Sequence, residues 1–243
     1  MVTDNKLQQR CAEIREYCEA NSDEKFILKY ARFFKHGYNA WGVNPILLKQ
    51  QAKIWIDCWK KDWKLADFIQ LGNILIQSGK YEEASFALLF VAAHKKEFTS
   101  ETFSHIGYWL ENGIQNWAHT DGICSELIKP LIVKKIITVT QFEAWRKSHS
   151  IWKQRAIPVS LIHAVKNKQD IVPLLQLIEP LMLSQIREVQ QGLGWFLREA
   201  WKLHRADTEL FLLKWKNSCG RIIIQYATEK MNKEKKTIYK KFK

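Results

Sequence analysis

What most constrains the fold of this chain is a succession of amphipathic segments with helical spacing, each closed by a glycine, a proline or a capping residue. Between residues 4 and 19, Leu7, Cys11, Ile14 and Cys18 recur at spacings of four, three and four. Asn21 or Ser22 can cap a second helix through Phe26, Ile27, Tyr30 and Phe33, which Gly37 stops. Asn44 followed by Pro45 is a cap followed by the residue best suited to a helix's first position, and a helix through Leu48, Ala52, Trp55 and Trp59 follows. Residues 65 to 78 and Tyr81 to His94 predict an antiparallel pair, and Thr99 caps a helix over 101 to 110 that Asn112-Gly113 breaks. Leu131 to Val139 alone has strand character, and without a partner strand it reads as a helix end and a loop. Thr140 and Glu143 form a capping box for a helix through Phe142 and Trp145. Segments at 152–158 and 171–177, a long helix from Ser184 to Lys202 and a last pair at 208–216 and 221–230 complete the series. Gly192 and Gly194 cost the long helix about 1 kcal/mol each relative to alanine, so a neighbouring backbone is expected to come close there.

Helix pairs spaced by roughly 35 to 45 residues predict an all-α fold, an α-solenoid of HEAT-like helical-pair repeats with a concave basic face. The same reading gives a single repeat domain over 1–230 and a lysine-rich tail over 231–243 that should fray.

Charge indicates what such a surface meets. A formal net charge of +13, with eleven tryptophans and seven tyrosines, suits a polyanion read partly by aromatic contact. No apolar run reaches the ~20 residues of a spanning helix, and the first ten residues lack a signal-peptide core, so no membrane is expected and the cytoplasm, at the nucleoid, is the expected location. Five scattered cysteines form no Cys-x-x-Cys pair and seven histidines show no ligand spacing, so neither a metal nor any other cofactor is expected.

Within residues 114 to 130, Trp117 and Asp121 stand four residues apart, on one face of a helix. A carboxylate beside an indole repels phosphates and so suggests chemistry. Taken alone, the stretch reads first as a core tryptophan with a solvated or capping aspartate.

Four separated pieces resemble one family, the AlkD-like DNA alkylation repair glycosylases. Trp117-x-x-x-Asp121 is similar to that family's Trp-Asp-x-x-Asp element, and Trp152-Lys-Gln-Arg155-Ala-Ile to its Trp-x-Arg-Arg-x-Ala-Ile element. Gln191-Gly-Leu-Gly-Trp195-Phe-Leu-Arg198-Glu199 resembles its Gln-x-x-Ile-Gly-Trp-x-Leu-Arg-Glu helix, and Tyr38 to Pro45 its Tyr-x-x-x-Gly-Val-x-x-Pro signature. Order and rough spacing agree over nearly the whole chain. The resemblance implies HEAT-like repeats around duplex DNA and excision of cationic alkylated purines such as 7-methylguanine and 3-methyladenine, the lesion staying largely stacked. By motif position it makes Asp121 the catalytic carboxylate, Trp117 and Trp195 aromatic walls at the lesion, and Arg155 a backbone contact. Lys153 and Arg198, within the same elements, are candidate phosphate contacts, although Arg198 and Glu199 could instead pair with neighbours. Ala118 replaces the family's first acid and Gln154 the first arginine of its pair, which puts rate and affinity in question more than reaction type.

These residue types suit the reaction. Hydrolysis of an N-glycosidic bond leaves positive charge on the sugar, which a fixed carboxylate stabilises and indole faces can meet. No lysine sits in a Schiff-base setting, so a monofunctional hydrolase that leaves an abasic site is expected; a monomer is expected as well. The alternatives are a DNA- or RNA-binding paralogue without excision and a protein-interaction scaffold.

Overall fold

A computed structural model describes residues 2–240, and all regular structure among them is helical. The chain divides into two compact units, 1–127 and 128–243. The first holds α1 (Asp4–Ala20), α2 (Glu24–Ala31), α3 (Pro45–Trp59), α4 (Leu65–Gln77), α5 (Tyr81–Ala92), α6 (Ser100–Asn112) and α7 (Trp117–Ile123). The second holds α8 (Lys129–Val133), α9 (Ile151–Lys166), α10 (Ile171–Ile178), α11 (Arg187–Leu203), α12 (Arg205–Trp215), α13 (Arg221–Ala227) and α14 (Lys233–Ile238).

In the first unit α4 and α5 pack as the central pair, and α1 lies against both through Leu7, Cys11, Ile14 and Cys18, the four positions its spacing selects. Burial pushes the Cys11 thiol up to about 11, which suits a small hydrophobe rather than a nucleophile. Asn44 accepts from Ile46 N–H at 2.9 Å ahead of Pro45, as the sequence predicts. The cap of α2 is Asp23, not Asn21 or Ser22, and accepts from Lys25 N–H at 2.8 Å. Much of this core is aromatic: Trp55, Trp59 and Trp63 follow one another with ring centroids 5.4 and 5.5 Å apart, beside Phe86, Phe90 and Phe68. Trp59, Trp63, Trp109, Trp145 and Trp152 are all at most 6% exposed, so those five indoles build cores and do not face a polyanion.

The segment from 38 to 44 is irregular, yet it is fixed. Glu82, buried at the start of α5, accepts backbone N–H groups from Trp41 at 3.1 Å, Gly42 at 2.8 Å and Val43 at 3.1 Å. Three donors on one carboxylate replace the water it lost on burial. Gly42 has φ of 83°, and a Cβ there would fall 2.2 Å from the Asp23 carbonyl oxygen, so only glycine fits.

In the second unit α11 is central, with α9 and α13 against it. The two glycines that weaken α11 face these neighbours. A Cβ on Gly192 would stand 3.4 Å from the Arg155 carbonyl oxygen, and one on Gly194 only 2.5 Å from Tyr226 Cβ and 2.8 Å from the Ile223 carbonyl oxygen. The close approach expected from the sequence is therefore present on both sides, with α13 the nearer.

Two expectations shift. Residues 139 to 147 form a 3₁₀ helix whose capping pair begins two residues early, Gln141 Oε1 accepting from Thr138 N–H at 2.9 Å, so Thr140 and Glu143 are not the box. The basic tail is not frayed as far as residue 240: α14 is capped by Asn232, Met231 and Tyr239 are buried, and Lys216 donates to the Ile238 carbonyl oxygen at 2.9 Å. Residues 241–243 lie outside the described residues.

Candidate functional site

The start of α7 is set by Asn116, whose Oδ1 accepts from His119 N–H at 2.8 Å. His119 then turns inward, its ring centroid 4.3 Å from that of Tyr81. Its Nδ1 faces Asn116 Nδ2 at 2.8 Å and its Nε2 faces Ser85 Oγ at 2.9 Å. An amide nitrogen can only donate, so Nδ1 accepts and the ring proton is on Nε2, an assignment made from the network. Ser85 Oγ accepts that proton's bond and donates its own to the Tyr81 carbonyl oxygen at 2.9 Å. The polarity is the reverse of a serine nucleophile with a histidine base, so this pair fastens α7 to α5 and does no acyl chemistry. Burial pushes the His119 imidazole down to about 4, so it is neutral.

Trp117 opens α7 and is 41% exposed. Its Nε1 donates to the Phe33 carbonyl oxygen at 3.0 Å. Its ring lies near-parallel to Phe34 at 5.9 Å and 16°, and Phe34 lies near-parallel to Tyr38 at 4.7 Å and 10°. The indole is thus the outer member of a three-ring stack. Beside it a cleft of about 920 Å³ is lined by Tyr30, Phe33, Phe34, Tyr38, Leu48 and, from α7, Trp117, Ala118 and Gly122. Ala118, where the resembling family has an acid, keeps that stretch of wall apolar. Asp121 stands one turn beyond Trp117, half-buried, and is not among the residues lining the cleft. The helix then widens into a π turn over Cys124–Ile128, a deviation often found next to functional residues.

In the second unit, Trp195 is half-buried on α11, next to the glycine that lets α13 approach. Arg155, on α9, is 6% exposed, and its Nη1 donates to the Glu188 carbonyl oxygen in the first turn of α11 at 2.8 Å. It ties the two helices together. Gln154 donates from Nε2 to the Ser148 carbonyl oxygen at 2.7 Å. Lys153 Nζ lies 5.7 Å from the Trp145 ring centroid. Arg198 pairs with Glu199 at 3.3 Å and with Glu229. Burial works against charge on Glu199, yet Lys202, Lys166 and Arg198 outweigh it and hold its carboxyl below the usual range.

Trp117 and Asp121 therefore share α7, and Arg155 and Trp195 share the α9–α11 pair. Sequence reasoning missed Phe34 and the Phe33 carbonyl, which hold the indole, and Glu82, which fixes the loop carrying Tyr38. A glutamate pair at a helix start, here Glu82 and Glu83, reads as solvated first-turn acids, so only the burial of Glu82 reveals its role. Among the described residues no group of three or more histidine, cysteine or acidic side chains could hold a metal ion, and no helix is long and apolar enough to cross a membrane.

No curated protein matches the chain by sequence. A protein from Enterococcus faecalis described as a predicted DNA alkylation repair enzyme superposes with a TM-score of 0.74 at 14% identity, over 88% of this chain and 98% of its own. The structure of smu.31 from Streptococcus mutans UA159 superposes with a TM-score of 0.57 at 17% identity, over 76% of this chain and 100% of its own. At such identities the likeness is one of fold. The family model described as "DNA alkylation repair enzyme" matches residues 14–231, most of the sequence. The chain belongs to the DNA alkylation repair enzyme family.

Proposed function

We propose that the protein is a monofunctional DNA glycosylase that hydrolyses the N-glycosidic bond of cationic alkylated purines, 7-methylguanine and 3-methyladenine, in duplex DNA. The observation that carries this is the pairing on α7 of an indole held rigidly at the surface with a carboxylate one turn away. As the base departs neutral, the sugar takes up positive charge, and Asp121 stabilises it and orients the attacking water. Trp117 offers the sugar its electron-rich face, worth ~1 to 2 kcal/mol when desolvated. The purine is already a good leaving group, so no strong general acid is needed and the base remains largely stacked. Trp195 is assigned a contact with the same duplex. Arg155 is assigned the backbone contact that its motif position implies, from a guanidinium whose Nη1 also donates to the Glu188 carbonyl oxygen and so is held in place by α11. The protein works as a monomer on nucleoid DNA in the cytoplasm.

Release of 7-methylguanine from methylated duplex, with the strand left intact at the abasic site, is the expected result. Strand cleavage coupled to base release would overturn the monofunctional assignment. A paralogue that binds DNA without excision is favoured by one observation: Gln154, in place of an arginine, is committed to the Ser148 carbonyl oxygen. Duplex binding without base release would support that reading.

A further inference from the structure

Two helices of the second unit end alike. After α8, Ile136 N–H returns to the Leu131 carbonyl oxygen at 2.9 Å and Lys135 N–H to that of Ile132 at 3.0 Å. After α9, Gln169 N–H returns to Ala164 at 3.1 Å and Lys168 N–H to Val165 at 3.0 Å. This double return requires the residue just past the helix to be left-handed, where glycine sits without penalty and a Cβ crowds the backbone. Yet both positions carry lysine: Lys135 has φ of 56° and Lys168 φ of 60°, and they are the only non-glycine residues with positive φ among the described residues.

Both side chains are exposed, and neither ammonium has an ion pair or hydrogen bond among the described residues. Lys60, Lys202, Lys214 and Lys235, by contrast, all pair with carboxylates. A cation does favour the negative end of a helix, but a lysine anywhere in the last turn gains that attraction without the strain. Strain kept twice, by the same residue type, with the charge left unpartnered, fits a partner outside the chain. In a chain of net charge +13 the chemistry that matches is a polyanion backbone. We propose that Lys135 and Lys168 contact phosphates of duplex DNA, an inference that rests on the DNA-binding reading above.

The test is fluorescence-anisotropy titration of the full chain with an unmodified DNA duplex between about 50 and 200 mM salt, alongside thermal melting. The double variant Lys135→Gly/Lys168→Gly is expected to melt a few degrees higher, because the strain is relieved, and yet to bind less tightly. The loss should be on the order of tenfold at about 0.1 M salt, and the slope of log affinity against log salt should become shallower by about 0.9 for each lost contact. Lys135→Arg/Lys168→Arg is expected to keep the parent slope. Lys60→Gln/Lys214→Gln removes the same charge from lysines paired with Asp57 and Glu179 and is expected to leave the slope in place. A parent that binds steeply while the glycine variant matches it would overturn this proposal and leave the DNA reading standing. Equal losses in the glycine and glutamine variants would overturn it in favour of bulk charge. A parent that binds no duplex would overturn both readings.

Discussion

Trp117 Nε1 donates to the carbonyl oxygen of Phe33, 84 residues earlier in the chain, at 3.0 Å. The bond joins α7 to the end of the α2 region and turns the indole so that one face meets Phe34. A side chain exposed to this extent normally samples several rotamers; two constraints hold this one in a single pose, so a substrate need not order it.

Trp117→Ala is therefore expected to lower kcat/KM for 7-methylguanine excision by about 5- to 30-fold, the loss of a cation–π contact of ~1 to 2 kcal/mol. Trp117→Phe keeps a ring but loses the bond to Phe33 and should fall between. The melting temperature of Trp117→Ala should fall, since the bond to Phe33 and the stack on Phe34 go with the ring, so activities are compared at a temperature where both proteins are folded. An unchanged kcat/KM in single-turnover assays would remove Trp117 from the reaction.

Gly192 and Gly194 give opposite expectations from one helix. Alanine at Gly194 would put its Cβ 2.5 Å from Tyr226 Cβ and 2.8 Å from the Ile223 carbonyl oxygen, with backbone unable to yield, so Gly194→Ala should destabilise by about 1 to 3 kcal/mol despite its better helix propensity. At Gly192 the nearest atom would be Pro158 Cγ at 3.3 Å, and the propensity gain of about 1 kcal/mol roughly offsets the crowding. Urea denaturation should rank Gly194→Ala well below Gly192→Ala and the parent.

His119 makes stability depend on pH. Its folded-state pKa is pushed down to about 4 by burial, below the value near 6.5 of an exposed imidazole. Between those values the unfolded chain binds a proton that the folded chain does not, so stability is full above about pH 6.5 and is lost as pH falls towards 4. The loss is on the order of 3 kcal/mol. His119→Gln should be less stable at neutral pH but flatter across that window. Equal slopes for parent and variant in denaturant titrations from about pH 7 to 4 would contradict this.

Legibility in the sequence followed the range of the interactions. Leu7, Cys11, Ile14 and Cys18 bury one face of α1 because helical spacing is local, and the Asn44–Pro45 start is equally local. The clash that forces Gly194 could be anticipated as a cost within α11, but not its partner, because Tyr226 is 32 residues away. Trp117 and Asp121 share a helix, as their spacing requires. The stack beneath the indole was invisible, since Phe34 looks like one more apolar residue of a helix and the bond from Trp117 ends on a backbone carbonyl. Arg155 was legible only in part: an arginine in a basic chain suggests phosphate, but its 6% exposure and its bond to Glu188, which fastens α9 to α11, depend on a residue 33 positions away. The tryptophan count likewise does not separate the five core indoles from an exposed one such as Trp117.

The central claim is that the Asp121 carboxylate carries base excision, and the direct measurement is release of 7-methylguanine from methylated duplex by the parent and by Asp121→Asn. A carboxylate placed at a developing cation is worth several kcal/mol, so the account predicts release by the parent and a loss of about 100-fold or more in the variant, with duplex affinity retained. Equal release by both proteins would contradict it.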